Sequence, residues 1–254
     1  MKIVLDLRKS IEENAEEYFN KAKKARKKLA GAKKAIEITT EKLIRAQKEK
    51  TEEKEITIKK IRKKEWYEKF RWFVSSEGLL VIGGRDATTN EIVIKKHADK
   101  NDVVFHTDMA GSPFVVIKSD EKKISQSTMQ EASDFTACYS RAWREGLTTL
   151  DVFYVKPEQV SKEAKAGEYM TKGSFMITGK TNYLPPKMNL AVGVYEEKIM
   201  AGPVSAIKKH CKECVEIMQG DKKTSDVAKK IKKKIGGDLD EVIRVLPAGG
   251  CDVK

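Results

Sequence analysis

Several groups of residues have the types and spacing for chemistry. Gly83-Gly84-Arg85-Asp86 sets two glycines beside a cation. Successive glycines expose backbone N–H groups that can hold a phosphate, and Arg85 adds charge. The spacing is neither that of a dinucleotide fingerprint nor that of a P-loop, so nucleotide hydrolysis has no support. The alternative is a tight turn with Arg85 paired to an internal carboxylate. His106-Thr107-Asp108-Met109-Ala110-Gly111-Ser112-Pro113 is the densest polar cluster. His106 and Asp108 have the types for an acid/base pair. Strand alternation also puts residues two apart on one face, where they would simply hydrogen-bond each other. No nucleophile follows at a telling distance, so no enzymatic site is expected.

His210-Cys211-Lys212-Glu213-Cys214 holds one Cys-x-x-Cys, read as two thiols on a helix. Zinc would need a second pair, and only Cys251 remains near the end, while Cys138 reads as core. No metal and no cofactor are expected. Lys229-Lys230-Ile231-Lys232-Lys233-Lys234-Ile235 is a basic helix with Val227, Ile231 and Ile235 as its apolar stripe. It suits RNA phosphates or an ordinary solvated face. Trp66, Tyr67, Phe70, Trp72, Tyr139 and Trp143 lie near basic residues and could stack bases. Aromatics at strand alternation are more often core.

The charge has a pattern. Net charge is +13. Residues 1–75 hold 23 Lys/Arg against 13 Asp/Glu, residues 76–207 hold 16 against 17, and residues 208–254 hold 12 against 8. A basic arm and tail around a neutral middle suit a polyanion, although a solvated coiled coil is often Lys-rich too. No apolar run approaches the roughly 20 residues that span a bilayer, so no membrane contact is expected. The start, Met1-Lys2-Ile3-Val4-Leu5-Asp6, lacks the long apolar core of a secretory signal. With four cysteines in 254 residues, a reducing, cytoplasmic setting is expected.

These groups need elements to position them. Ser10-Ile11-Glu12-Glu13 reads as a capping box. Ile11, Ala15, Tyr18, Ala22, Ala25, Leu29, Ala32, Ile36, Thr39, Leu43 and Ala46 then alternate spacings of four and three, a heptad seam. The spacing predicts a helix over residues 10–48, a turn within 48–54 and a shorter second helix over 52–70 carrying Ile58 and Ile61. Part of the first helix would then stay unpaired or meet another molecule. From residue 71 the period changes to strands: 72–75 and 79–82 as a hairpin, 102–106 and 113–118 as a second pair, then 150–155, 175–177 and 190–195. Helices are expected at 90–97, from a capping box at Ser127 to about Trp143, at 204–218 and at 225–235, with Gly236-Gly237 as the stop. The fold class is α+β: a long helical coiled-coil arm over 1–70, then a mixed or antiparallel sheet with helices over 71–254.

Lys69-Phe70-Arg71-Trp72-Phe73-Val74-Ser75-Ser76-Glu77-Gly78, followed by Leu80-Val81-Ile82-Gly83-Gly84-Arg85-Asp86-Ala87, resembles the NFACT family. So do His106-Thr107-Asp108-x-x-Gly111-Ser112-Pro113, Ser140-x-Ala142-Trp143, Val160-Ser161-Lys162, Gly167-Glu168-Tyr169 and Lys172-Gly173-Ser174-Phe175-Met176-Ile177-x-Gly179-Lys180. Asn14-Ala15-x-x-Tyr18-Phe19 is similar to the opening of that family's coiled coil. The resemblance covers nearly the whole chain. It implies an NFACT-R, RNA-binding domain from about residue 71, behind a coiled-coil middle.

The family comprises ribosome quality-control tailing factors, whose bacterial members were once labelled fibronectin-binding proteins. The resemblance implies binding to the large ribosomal subunit carrying a stalled peptidyl-tRNA, and to tRNA. Arg85, His106, Asp108, Ser112, Lys118, Lys162, Lys172 and Lys180 are the expected contacts to RNA. The family's first globular domain and helix-hairpin-helix module are absent, and its Asp-Arg tRNA motif lies there; Arg85-Asp86 is not that motif. The chain therefore reads as a C-terminal half, excised or naturally short, with no enzyme activity and no tailing of its own. The alternative is a protein–protein adaptor, in which the coiled coil pairs with a partner or itself and the globular part only caps it.

Overall fold

The structure, a computed structural model, describes residues 3–56, 64–163 and 170–254, with side chains omitted for 45–56. The chain divides into two compact units, Met1–Lys63 and Lys64–Lys254.

Among the described residues of the first unit there is one helix, α1 (Ile11–Ile56). Its expected capping box is present: the Glu13 N–H donates to Ser10 Oγ at 3.1 Å, and the Ser10 N–H donates to Glu13 Oε2 at 2.8 Å. Residues 4–9 double back along the first turns. The Tyr18 hydroxyl donates to the Val4 carbonyl at 2.8 Å, and Asn14 accepts from the Asp6 N–H at 2.9 Å and donates to the Asp6 carbonyl at 3.0 Å. The helix continues through residues 48–54, where a turn was expected. That stretch lacks seam residues, but it also lacks Gly and Pro, and Lys, Glu and Gln are good helix formers. Of the expected second helix, residues 57–63, with Ile58 and Ile61, lie outside the described residues. Trp66–Lys69 is a single 3₁₀ turn instead. Leu29, Ile36 and Leu43 of the seam are exposed.

The second unit begins with the expected hairpin. β1 (Arg71–Val74) and β2 (Leu80–Gly83) are antiparallel, with Arg71 opposite Gly83. There follow α2 (Ala87–His97), β3 (Val103–Thr107), β4 (Val115–Ile117), α3 (Gln126–Cys138), α4 (Arg141–Arg144) and β5 (Val152–Val155). Three short strands come next, β6 (Val160–Ser161), β7 (Met176–Ile177) and β8 (Asn182–Tyr183). Then come β9 (Leu190–Tyr195), β10 (Lys198–Gly202), α5 (Val204–His210), β11 (Cys214–Gln219), α6 (Thr224–Ile235), α7 (Leu239–Val245) and β12 (Cys251–Val253).

A larger antiparallel sheet runs β1-β2-β4-β3-β5-β8, a smaller one β10-β9-β11-β12, and β6 pairs with β7. α3 lies between them, against β3, β4 and β5 of the larger sheet and β9 of the smaller. This helix is buried along most of its length, and Phe135 meets Phe73 of β1 at 4.8 Å. Burying Phe70, Phe73, Phe105, Phe135 and Trp143 stabilises the unit by roughly 1.5–3 kcal/mol per side chain before entropy is counted.

Three helix expectations need correction. The helix expected from residue 90 starts at Ala87, because Asp86 caps it by accepting from the Thr89 N–H at 2.8 Å. The helix expected over 127–143 is capped by Ser125 rather than Ser127 and breaks at Tyr139, where Ser140 caps α4 afresh. The helix expected over 204–218 stops at His210, and residues from Cys214 form β11. Val215 and Ile217 are buried while Met218 is exposed; that alternation of two is strand, not helix. Cys211 and Cys214 therefore lie at a helix-to-strand turn, not on a helix. Gly236 ends α6 with φ +74°, the left-handed stop that glycine allows.

Candidate nucleic-acid interface

The turn after β2 begins the site. Gly84 follows β2 where α2 closes over it. A Cβ there would sit 1.8 Å from Asn90 Oδ1, which itself accepts from the Phe114 N–H at 3.1 Å. Only glycine lets α2 approach β4 this closely. Arg85 comes next and does not pair with a carboxylate, the alternative considered from sequence. It donates to three backbone carbonyls: Lys69 at 3.2 Å, Phe70 at 2.8 Å and Arg244 at 2.6 Å. Burial, then the charges of Arg244 and Arg71, push its pKa down to about 10. It remains a cation at neutral pH.

Arg71 of β1 stands beside it. Its Nη1 donates to the Gly84 carbonyl at 2.6 Å, and its guanidinium lies 4.7 Å from the Tyr139 ring centroid. Its Nε is buried without a hydrogen-bond partner. Arg141 and Arg144 are exposed on α4, whose N-cap Ser140 orients them one turn apart. Arg141 pairs with Glu145 at 2.5 Å.

The β3–β4 connection forms another wall. His106 stacks on Phe114 at 4.1 Å, and Phe175 meets Phe114 edge-on at 5.2 Å. The His106 Nδ1–H donates to the Thr107 carbonyl at 2.7 Å. Burial pushes the imidazole pKa down, so the ring is neutral at pH 7 and offers an aromatic face. Asp108 does not bond to His106; it accepts from the Tyr183 hydroxyl at 3.2 Å. The mutual hydrogen bond considered from sequence is thus not formed. Ser112 is buried, its Oγ 2.5 Å from Thr107 Oγ1.

Gly173 completes the enclosure. Its φ is +82°, and a Cβ would lie 2.6 Å from Ala87 Cα at the start of α2. Its N–H donates to Glu91 Oε1 at 3.1 Å. Lys162 holds the same carboxylate at 2.8 Å, and these two contacts hold the Glu91 pKa down to about 2.

Together these segments border a cleft of about 530 Å³. Arg71, Arg85, Arg141, Arg144 and Lys172 line it, with Asp86 as the carboxylate among them. His106, Phe114, Phe175 and Ile177 form its apolar side.

Of the residues expected to contact RNA, the cleft brings together Arg85, His106, Ser112 and Lys172. The others lie elsewhere. Lys118 is 8% exposed and ion-paired with Asp102 and with Asp99. Burial works against its charge, but these pairs outweigh it and raise its pKa. Lys162 is engaged with Glu91 and donates to the Thr171 carbonyl at 3.0 Å. Lys180 and Asp108 are exposed outside the cleft. Gly167-Glu168-Tyr169 lies outside the described residues.

Arg141, Arg144, Phe114 and Phe175 were not singled out from sequence. A signal existed for the arginines. Two of them three residues apart beside a buried Trp143 place both cations on one helix face. Among the candidate stacking aromatics, Phe70, Trp72, Tyr139 and Trp143 are core, while Trp66 is 44% exposed and stacks on His97 at 4.5 Å. Among the described residues no group of His, Cys, Asp or Glu could hold a metal, and no helix is long and apolar enough to cross a membrane.

Residues 69–179 match the family described as NFACT protein RNA binding domain. The archaeal Rqc2 homolog aRqcH of Methanocaldococcus jannaschii is 44% identical over 204 residues, 77% of this chain and 30% of that protein. The ribosome quality control complex subunit NEMF of Homo sapiens is 42% identical over 180 residues, 68% of this chain and 16% of that protein. The chain thus spans under a third of the length of these curated relatives. A solved structure, the C-terminal part of the fibronectin/fibrinogen-binding protein of Streptococcus suis, is 21% identical over 51% of this chain and 49% of that one, with a TM-score of 0.40. On the family match and these relatives, residues 69–179 of this chain are a domain of the NFACT RNA-binding family.

Proposed function

We propose that this chain is the RNA- and ribosome-binding part of a ribosome-associated quality-control factor. It engages the large ribosomal subunit carrying a stalled peptidyl-tRNA, and tRNA, in the cytoplasm. Its role is recognition rather than bond chemistry. The observation that carries this is the match of residues 69–179 to an RNA-binding domain family, together with relatives named as ribosome quality-control subunits. The cationic cleft at the centre of that domain is chemically in keeping with a phosphate-bearing partner. The arm adds a sequence-independent attraction to phosphates.

The test is binding of the full chain to tRNA and to large subunits over a salt series. Six to ten phosphate contacts would lower affinity by roughly 10³–10⁵ between 50 and 200 mM salt. No binding, or binding indifferent to salt, would overturn the reading. A second reading, a coiled-coil adaptor, is favoured by the exposure of Leu29, Ile36 and Leu43. Sedimentation as an oligomer would support it, and RNA binding that survives deletion of residues 1–65 would count against it.

A further inference from the structure

We infer that the cleft between α2, α4 and the β3–β4 connection holds one unstacked nucleotide of an RNA, phosphate on the arginine side and base on the aromatic side. This rests on the reading of the chain as an RNA-binding module and assigns it a specific subsite.

Size is the first ground. About 530 Å³ falls in the range that encloses a small ligand. It admits a mononucleotide unit and excludes a duplex, whose bases are turned inward.

Charge is the second. Arg71 and Arg85 are anchored to backbone carbonyls, not to carboxylates. Both are therefore fixed in place without an ion pair, and Asp86 is the carboxylate in the cleft whose charge reaches them. Among the described residues, Arg144 and Lys172 form no ion pair. Asp86 is occupied in capping α2. The N-terminus of that helix, which itself favours an anion, also borders the cleft. The buried Nε of Arg71 has no partner within the protein. Arg71, Arg85, Arg144 and Lys172 outnumber Asp86, and such an excess of cations in a half-buried site favours an incoming phosphate.

The aromatic side is the third. An inorganic anion would leave it unfilled. His106 and Phe175 are partly exposed in the cleft, with Phe114 buried against both. Unpaired bases are held in this way, stacked on aromatic rings and guanidinium planes.

The experiment titrates the full chain with 5′-AMP, adenosine, inorganic phosphate and phosphoserine, and separately with tRNA. 5′-AMP should bind more tightly than the other three small probes. Arg144→Ala, at an exposed position, should leave the melting temperature unchanged and weaken 5′-AMP by roughly tenfold or more, the worth of one charge-assisted hydrogen bond. Phe175→Leu should weaken 5′-AMP but not phosphate. Lys27→Gln, on α1, should change neither. 5′-AMP no tighter than phosphate or phosphoserine, or unaffected by Arg144→Ala, would overturn the inference. If tRNA still binds the full chain in that case, the RNA-binding reading stands without this subsite. If 5′-AMP binds and tRNA does not, the RNA reading falls and the cleft becomes a site for a free mononucleotide.

Discussion

The arm and the globular unit are both rich in lysine and arginine, yet they commit these side chains differently. On α1, Lys23, Lys24, Lys27 and Lys28 are exposed and form no ion pair among the described residues. In the globular unit three of the five Lys and Arg side chains expected to contact RNA are engaged within the fold. Lys118 is sealed against Asp102 and Asp99, Lys162 against Glu91, and Arg85 against three carbonyls. Counting charges thus overstates what a folded domain can offer a ligand and understates what a bare helix can. The arm supplies long-range attraction, and the cleft supplies a few fixed cations of set geometry.

This contrast can be broken in several ways. The largest effect is expected at Lys118. Lys118→Met leaves Asp102, whose side chain is 2% exposed, without its counter-ion, at a cost of about 3 kcal/mol or more. Chemical denaturation would read this loss; an unchanged midpoint would show that the pair is not structural. Gly173→Ala comes next. It forces a φ of +82° on alanine and drives Cβ into Ala87, costing roughly 1–3 kcal/mol, again measured by denaturation.

Replacing Lys23, Lys24, Lys27 and Lys28 together by Gln should leave stability within about 0.5 kcal/mol. The slope of log affinity for tRNA against log salt should fall by roughly 0.9 for each lysine that meets a phosphate. A large fall in stability with no change of slope would reverse the comparison.

The smallest effect concerns pH. Burial depresses the pKa of His106, and burial and then the charge of Lys69 depress that of His97. Each therefore contributes stability that is complete above the ordinary value near 6.5 and is lost as pH falls below it toward the folded pKa. The melting temperature should drop between about pH 7 and about pH 5, and His106→Phe should flatten part of that drop. A curve unaltered by the substitution would place the titration elsewhere.

Much of the fold was legible because its signals are local. The β1–β2 hairpin, β3 and β4, the α1 capping box and the Gly236 stop all follow from neighbouring residues. The continuation of α1 past residue 48 was missed because lack of a seam was taken for lack of a helix. β11 was missed because His210-Cys211-Lys212 hides the change of period from helix to strand. The cleft was half legible. Arg85, His106, Ser112 and Lys172 sit in conspicuous motifs. Arg71 and Phe175 sit in such motifs too, but their place at the cleft depends on pairings such as Arg71 opposite Gly83.

The Arg85 clamp also sets an order in time. Its third acceptor, the Arg244 carbonyl, lies 159 residues downstream. At roughly 5–20 residues per second, a ribosome making this protein delivers Arg244 some 8 to 30 s after Arg85. Throughout that interval the guanidinium is held by its two early partners at most, and the cleft is without its final border. The domain completes its cation array only once Arg244 has been added.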